Sequence, residues 1–410
     1  MVSERGGIAV DSIDRRTRSD VDVIDVDAPT WFANVFPSLH RDLAGRGLLH
    51  LGLPALAFDI DGFQRTLAVE DGALVAHGGI DDGAIVLGVS GEQFSDFAQE
   101  MATMVAFWTA RDARMAGPDD DFIAWDCVWR ALVDGWPVHE PGAITFDVDL
   151  TRWFLPDDDP GDIAHFFREA GFLHLKGWLD PADMNAVADD IDRAVPEYSK
   201  GDGRSWWAQT NDGVDRLVRL QYFHEHSPTT RSIIDSELWD RLRQIIGAGV
   251  DELDHRPRDT NCIEALIKPI GVVKGISDVP WHRDCSFGRH TYGCAGTTVG
   301  ISVTSGREGT GQLRVVAGSH RANVPSTGVT HIQDLPIVPL PTDAGDLTVH
   351  LSCTLHEAMP PLTGERKVMY TGFGLRMPEG AVGRKSPQLA ALRENAHLLR
   401  DQPPSPVAAR

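Results

Sequence analysis

From Cys262 to Arg376 the chain is cut into short runs rich in β-branched and apolar residues: "CIEALIKPIG", "TTVGISVTS", "GQLRVVAGSH", "AGDLTVHLS" and "RKVMYTGFGLR". Glycine, proline and polar breaks separate them, so this stretch reads as successive short strands joined by turns. Such a succession predicts an all-β barrel or a double-sheet jelly roll. Helical patterns come before it. "AGFLHLKGWLDPADMNAVADDIDRAV" predicts a strand through Phe172, Leu173 and Leu175, then a helix with Asp180 as N-cap and Pro181 in its first turn. Its apolar stripe is Met184, Val187, Ile191 and Val195. A second helical section surrounds "SIIDSELWDRLRQIIGAGV", and both helices are expected to pack outside the sheets.

A chain of 410 residues exceeds what one hydrophobic core organises, so a further domain is expected ahead of the barrel. Residues 1–28 are polar and acidic without periodicity and read as a disordered N-terminus. Residues 29–115 read as a smaller α+β accessory domain. Strands carry Leu67 and Val69, Leu74 and Ala76, then Ile85, Leu87 and Val89, with turns at Asp71-Gly72 and Asp82-Gly83. A helical pattern follows, with Phe94, Phe97, Met101 and Met104 on one face. "RMAGPDDDF" marks a break, and residues 116–145 read as a linker to a main domain over 146–380. Residues 381–410 read as a C-terminal helix and a disordered tail. The fold class is therefore α+β.

The formal charge of -22, from 60 acids against 38 Lys and Arg, argues against nucleic acid as a partner, since phosphate backbones demand clustered cations. Five cysteines without a C-x-x-C pair argue against a disulfide framework and a zinc ribbon, and point to the cytoplasm. No run reaches the ~18 to 20 apolar residues that insertion in a membrane requires.

"DVPWHRDCSFGRH" concentrates the chemistry. In an extended segment residues i and i+2 share a face, so His282 and Asp284 present an imidazole and a carboxylate together. Alone, such a pair is weak evidence, because polar pairs recur by chance and histidines often serve loop hydrogen bonds. A third ligand is expected from a distant strand, and "HLSCTLHEA" offers His350 or His356. Two histidines and one carboxylate hold Fe(II) on one face and leave positions open for a bidentate cosubstrate and dioxygen. A keto-acid cosubstrate such as 2-oxoglutarate leaves a second carboxylate to be held, which suits a guanidinium. Arg366, ten residues past His356 at the head of a strand, supplies it.

With these residues in place the sequence resembles the phytanoyl-CoA dioxygenase-like Fe(II)/2-oxoglutarate-dependent oxygenases, over about Gly171 to Leu375. "GFLHLKGWLDPADMNAV" is similar to the family's opening strand and helix, "ALIKPIG" precedes the iron block "PWHRD", and "GTGQLRVVAGSH" is similar to its hairpin. "AGDLTVHLSCTLHEAMPPLTGERKVMYTGF" is similar to the closing block. The resemblance implies a jelly-roll double-stranded β-helix, iron held by His282, Asp284 and His356, and 2-oxoglutarate held by Arg366. Lys268 matches a position where some members place a second cosubstrate contact. Two features depart from the pattern: Ala358 stands where a serine is frequent, and the His356–Arg366 spacing is one residue shorter. Because Asp284 is present, where related halogenases carry a small residue, the implied reaction is hydroxylation.

Trp206, Trp207 and Tyr222 fall where the family's substrate-covering segments lie, and Cys285 and His290 flank the iron block, so these are the candidates for the substrate pocket. Core packing is the plain alternative for the tryptophans. The segment "VEDGALVAHGGIDDGAIVLGVSGEQFSDFAQ" is similar to the later half of sterol-carrier-type lipid-binding domains. The expectation is thus a dioxygenase acting on a small, hydrophobic lipid-like or natural-product substrate. A non-catalytic carrier with a vestigial barrel, and a zinc-dependent hydrolase using the same ligands, are the competing readings.

Overall fold

The computed structural model describes residues 24–247, 253–256, 261–275, 279–287, 296–326 and 334–375. The expected disordered stretch as far as residue 23, the C-terminal helix and tail at 381–410, and His290 lie outside the described residues.

The first module opens with α1 (Ala28–Thr30) and α2 (Arg41–Leu51). Strands β1 (Leu56–Ile60), β2 (Phe63–Glu70), β3 (Ala73–Gly78), β4 (Ile85–Val89) and β5 (Arg114–Ala116) then build one sheet in the order β3-β2-β1-β4-β5. Asp71 and Gly72 take positive φ (50° and 82°), the backbone that a tight two-residue hairpin turn demands, and so close β2 onto β3. β1 pairs antiparallel with β2 but parallel with β4. The stripe of Phe94, Phe97, Met101 and Met104 is buried as its pattern requires, yet Phe94 and Phe97 lie on α3 (Gly91–Ala98), Met104 on α4 (Met104–Ala110) and Met101 in the break between them. The break has a local cause. Glu100 takes a left-handed φ of 60°, and Thr103 caps α4 by accepting the Ala106 N–H at 3.0 Å.

Residues 116–145, expected as a linker, contain a long helix, α5 (Asp119–Asp134). Three acids in its first turn favour its positive end, and Gly135 at φ 68° ends it. Phe122, Trp125, Cys127, Val128 and Trp129 of α5 join the core of the first module. Trp129 stacks on Trp31 at 5.4 Å and packs on Phe97 at 4.5 Å between ring centroids. The connector signal failed because its Gly/Pro/Asp break only starts a helix whose apolar face belongs to the preceding sheet.

Four helices lead into or flank the second module: α6 (Pro160–Ala170), α7 (Pro181–Ala194), α8 (Pro228–Ile234) and α9 (Glu237–Gly247). Asp180 caps α7 by accepting the Ala182 N–H at 2.8 Å, and Met184, Val187 and Ile191 are buried. The strands are β6 (Phe172–Leu175), β7 (Ser205–Thr210), β8 (Asp215–Leu220), β9 (Leu253–His255), β10 (Glu264–Lys268), β11 (Val272–Lys274) and β12 (Val279–His282). They continue with β13 (Thr297–Ser302), β14 (Leu313–Val316), β15 (Ile337–Leu340), β16 (Leu347–Leu351), β17 (His356–Ala358) and β18 (Arg366–Leu375). Among the described residues they form a nine-stranded sheet, ordered β11-β7-β8-β10-β18-β13-β16-β6 with β9 on β18, and a four-stranded sheet, β12-β17-β14-β15. This is the jelly roll with helices alongside. One core runs from α6, α7 and α9 through Val299, Val349 and Met369 of the large sheet to Leu313, Val315 and Leu340 of the small one. No described helix is long and apolar enough to cross a membrane.

Candidate metal and cosubstrate site

β12 delivers His282, and its register partner across the small sheet is His356, the first residue of β17. Arg283 follows, and Asp284 begins a 3-10 turn, Asp284–Phe287, that swings its carboxylate back towards both imidazoles. His282 Nε2 lies 3.3 Å and His356 Nε2 3.7 Å from Asp284 Oδ1, and one ligand atom from each of the three residues lies within 4.8 Å of the others. The expected extended H-x-D geometry is replaced here by strand followed by turn, which reaches the same convergence.

Hydrogen bonds fix the orientation of these groups. His356 Nδ1 lies 2.9 Å from the Thr354 carbonyl, which can only accept, so the ring hydrogen sits on Nδ1 and Nε2 presents a lone pair. Thr298 of β13 donates its hydroxyl to Asp284 Oδ2 at 2.7 Å. Burial opposes ionisation of Asp284, yet His356, His282 and His350 outweigh it and hold its carboxyl well below the ordinary 3.8. Burial, with His350 and His282 adding to it, holds His356 well below the ordinary 6.5. An ionised carboxylate beside an unprotonated imidazole is the state in which these groups bind metal. His350, the other candidate third ligand, packs its ring against His356 with centroids 3.9 Å apart, and its Nδ1 turns to the Leu351 carbonyl at 3.2 Å.

The large sheet supplies the second part of the site. Strand registers put Trp206, Arg219, Glu264, Leu266, Lys268, Arg366, Val368 and Tyr370 on one face, continued by Ser302, Gly300 and Thr298 and then by Thr348 and His350. Arg366 and Lys268 are direct cross-strand partners and both are buried, at 2% and 1% exposure. Arg366 Nη1 donates to the Gly311 carbonyl at 2.5 Å, while its buried Nε has no hydrogen-bond partner. Gly306 lies directly against the guanidinium: a Cβ there would stand 2.7 Å from Arg366 Cζ. Burial raises the Tyr370 phenol above its ordinary 10.0, with Arg366 and Arg219 opposing and Asp284 adding to the rise. Tyr370 therefore stands in the electrostatic field of both the arginine and the carboxylate.

The four pocket candidates among the described residues separate. Trp206 carries the Arg219 guanidinium over its ring at 4.1 Å, and Arg219 pairs with Glu264 at 3.2 Å, so this indole belongs to the polar face just described. Trp207 packs against the main core and donates Nε1–H to Ser205 Oγ at 2.9 Å. Tyr222 takes a left-handed φ of 57°, bonds Asn261 through its backbone N–H and lies under Arg204. Cys285 adjoins Asp284, with its Sγ 3.8 Å from Cys353 Sγ.

Sequence reading missed the supports. Arg283, which sequence leaves open between a surface group and a support behind the ligands, is fully buried and donates to the carbonyls of Cys353, Val324, Ser319 and Ala322. The first module reaches the same turn: Thr103 Oγ1 donates to the Ser286 carbonyl at 2.5 Å, and Ser286 Oγ donates to the Arg283 carbonyl at 2.6 Å. Asn323 locks the modules further, accepting from Arg130 and donating to the Cys127 and Trp136 carbonyls.

Residues 167–369 match the sequence model of the family described as phytanoyl-CoA dioxygenase (PhyH). No curated protein matches the chain. Among solved structures, AviO1 from Streptomyces viridochromogenes Tue57 is similar at 22% identity over 56% of this chain and 98% of its own, with a TM-score of 0.43. EvdO2 from Micromonospora carbonacea var. aurantiaca, solved with 2-oxoglutarate, is similar at 19% identity over 58% of this chain and 98% of its own, TM-score 0.39. The non-heme alpha ketoglutarate dependent epimerase SnoN from nogalamycin biosynthesis is similar at 19% identity over 56% of this chain and 93% of its own, TM-score 0.42.

Proposed function

We propose, with residues 167–369 belonging to the phytanoyl-CoA dioxygenase family as the premise, that the protein is an Fe(II)/2-oxoglutarate-dependent hydroxylase of a small hydrophobic substrate. In this reading His282, Asp284 and His356 hold Fe(II), and Arg366 with Lys268 holds 2-oxoglutarate. The observation that carries it is the meeting of three ligand atoms within 4.8 Å opposite a sheet face that buries two adjacent cations. Two imidazoles and one carboxylate are a donor set suited to non-haem iron. The partnerless Nε of Arg366 favours an anion beside it, since a buried cation without one is costly.

Iron and 2-oxoglutarate, when bound, supply the oxidising chemistry that no side chain here provides. The chain's own residues do the positioning. Thr354, through His356 Nδ1, aims Nε2 inward, and Thr298 holds the free oxygen of Asp284. Arg366 offers its planar fork to the distal carboxylate of the cosubstrate. Trp206 and Leu266 give the same face an apolar margin where a lipid-like or natural-product substrate is oriented. Retention of Asp284 supports hydroxylation over halogenation. We also read the chain as two modules, with residues 29–134 acting as a buttress to the metal turn through Thr103 and α5.

The test is anaerobic titration of the purified full-length protein with Fe(II) and then 2-oxoglutarate, following the visible charge-transfer band of the chelate. We expect a band that requires His282 and needs more 2-oxoglutarate in R366A. Folded, iron-loaded protein without a band would overturn the proposal.

A further inference from the structure

We infer that Cys285 and Cys353 form a peroxide-sensitive dithiol whose closure to a disulfide releases the metal. The two sulfurs are already in contact at 3.8 Å, although the residues are far apart in sequence. Each sits on a segment that carries a ligand. Cys285 follows Asp284 in the 3-10 turn, and Cys353 precedes His356 by three residues in the loop that enters β17. Cys285 is half-buried and reachable, whereas Cys353 is only 1% exposed. Peroxide therefore meets Cys285 first, and Cys353 serves as the resolving thiol.

The chemistry balances with hydrogen peroxide as the oxidant. Cys285 attacks one peroxide oxygen, the O–O bond breaks, and a sulfenic acid and one water result. Cys353 then attacks that sulfur, the S–O bond breaks, and a disulfide and a second water result. Two thiols are oxidised and one peroxide is reduced to two waters.

A disulfide needs its sulfurs about 2.05 Å apart, so the pair must close by about 1.8 Å. The Cys353 side cannot follow far. Its carbonyl accepts from buried Arg283 at 2.7 Å, Thr354 Oγ1 donates to Gly171 at 2.7 Å, and Leu355 N donates to Ser319 Oγ at 2.8 Å. The Asp284–Phe287 turn is held through Ser286 and through Thr298 on Asp284, but its bond across to the Cys353 loop, from the Cys285 N–H to the Ser352 carbonyl, is long at 3.3 Å, so the turn is the side that gives. Closure thus draws the turn towards Cys353 and pulls Asp284 out of line with His282 and His356. This release step rests on the metal reading above; the chemistry of the pair does not.

The experiment treats reduced, metal-free, full-length protein with stoichiometric hydrogen peroxide, alkylates it, and maps cysteine linkages by peptide mass. Co(II) binding is then measured by visible absorption in the wild type and in C285A and C353A. The expected result is a Cys285–Cys353 linkage, Co(II) affinity at least about tenfold weaker, recovery with dithiothreitol, and no reversible loss in either variant. A Cys285–Cys294 linkage, over-oxidation of Cys285 with Cys353 alkylated, or linked protein that binds Co(II) like the reduced form would overturn the proposal. Reduced protein that binds no Co(II) would overturn the metal reading and the release step with it, a result distinct from the linkage, which mass alone reports.

Discussion

Substituting Gly306 by alanine tests whether Arg366 holds the cosubstrate. Gly306 exchanges two 2.9 Å backbone hydrogen bonds with Thr342, so its main chain is fixed. An added Cβ would stand 2.7 Å from Arg366 Cζ, 2.8 Å from Nε and 2.9 Å from Thr342 Oγ1. Non-bonded carbons settle at roughly 3.5 Å or more, so the guanidinium must retreat by about 0.8 Å. Charge-assisted N–H to carboxylate bonds span only about 2.7–2.9 Å, and a shift of this size takes them out of range. A hydrogen bond to a charged group contributes about 1.5–3 kcal/mol, and each 1.4 kcal/mol is tenfold. The expected outcome is a Kd for 2-oxoglutarate about 10- to 150-fold higher with Fe(II) affinity unchanged, read from the chelate band. R366K, which keeps the charge but loses the fork, should weaken binding in the same sense. Folded, iron-loaded G306A that binds 2-oxoglutarate within about twofold of the wild type would refute the reasoning.

Removing the hydroxyl that orients Asp284, in T298V, should weaken Fe(II) or Co(II) binding by about 10-fold, the scale on which such supporting bonds act; direct titration measures it. T103V should also weaken metal binding several-fold by freeing Ser286, whereas S90A, which removes the cap of α3 in the first module, should cost stability and leave metal affinity alone. Burial pushes His320 from 6.5 down to about 4, and its Nε2 bonds the Arg168 carbonyl at 2.8 Å. The unfolded chain protonates first, so this stabilisation is complete above about pH 6.5 and drains away as pH falls towards 4, by about 3 kcal/mol in total. Denaturant unfolding of H320Q between pH 7 and 4 should show a correspondingly flatter slope; an unchanged slope would exclude His320 as the source.

What the sequence disclosed, and what it hid, follows from the range of each signal. Alternation and turn residues act over a few positions, so the strands through "TTVGISVTS" and "AGDLTVHLS" and the Asp180 cap of α7 could be read directly. The convergence of His282, at the end of β12, with His356, at the start of β17, is non-local, and the ordered blocks around them are what brought the two together. Arg283 stayed open between surface and support because an i+1 position beside an extended pair points away from its neighbours, and in a free strand "away" would mean water. Here it means the seam between the modules, where four carbonyls and α5 close over the guanidinium. The same seam explains α5: its tryptophans look like a connector until the sheet that buries them is known. A polar hydroxyl such as Thr103 carries no sequence signal at all, since its capping bond is local but its bond to Ser286 spans 183 residues. The supports of this turn are thus drawn from the contacts that sequence pattern encodes least, whereas the candidate ligands could be named through the ordered blocks around them.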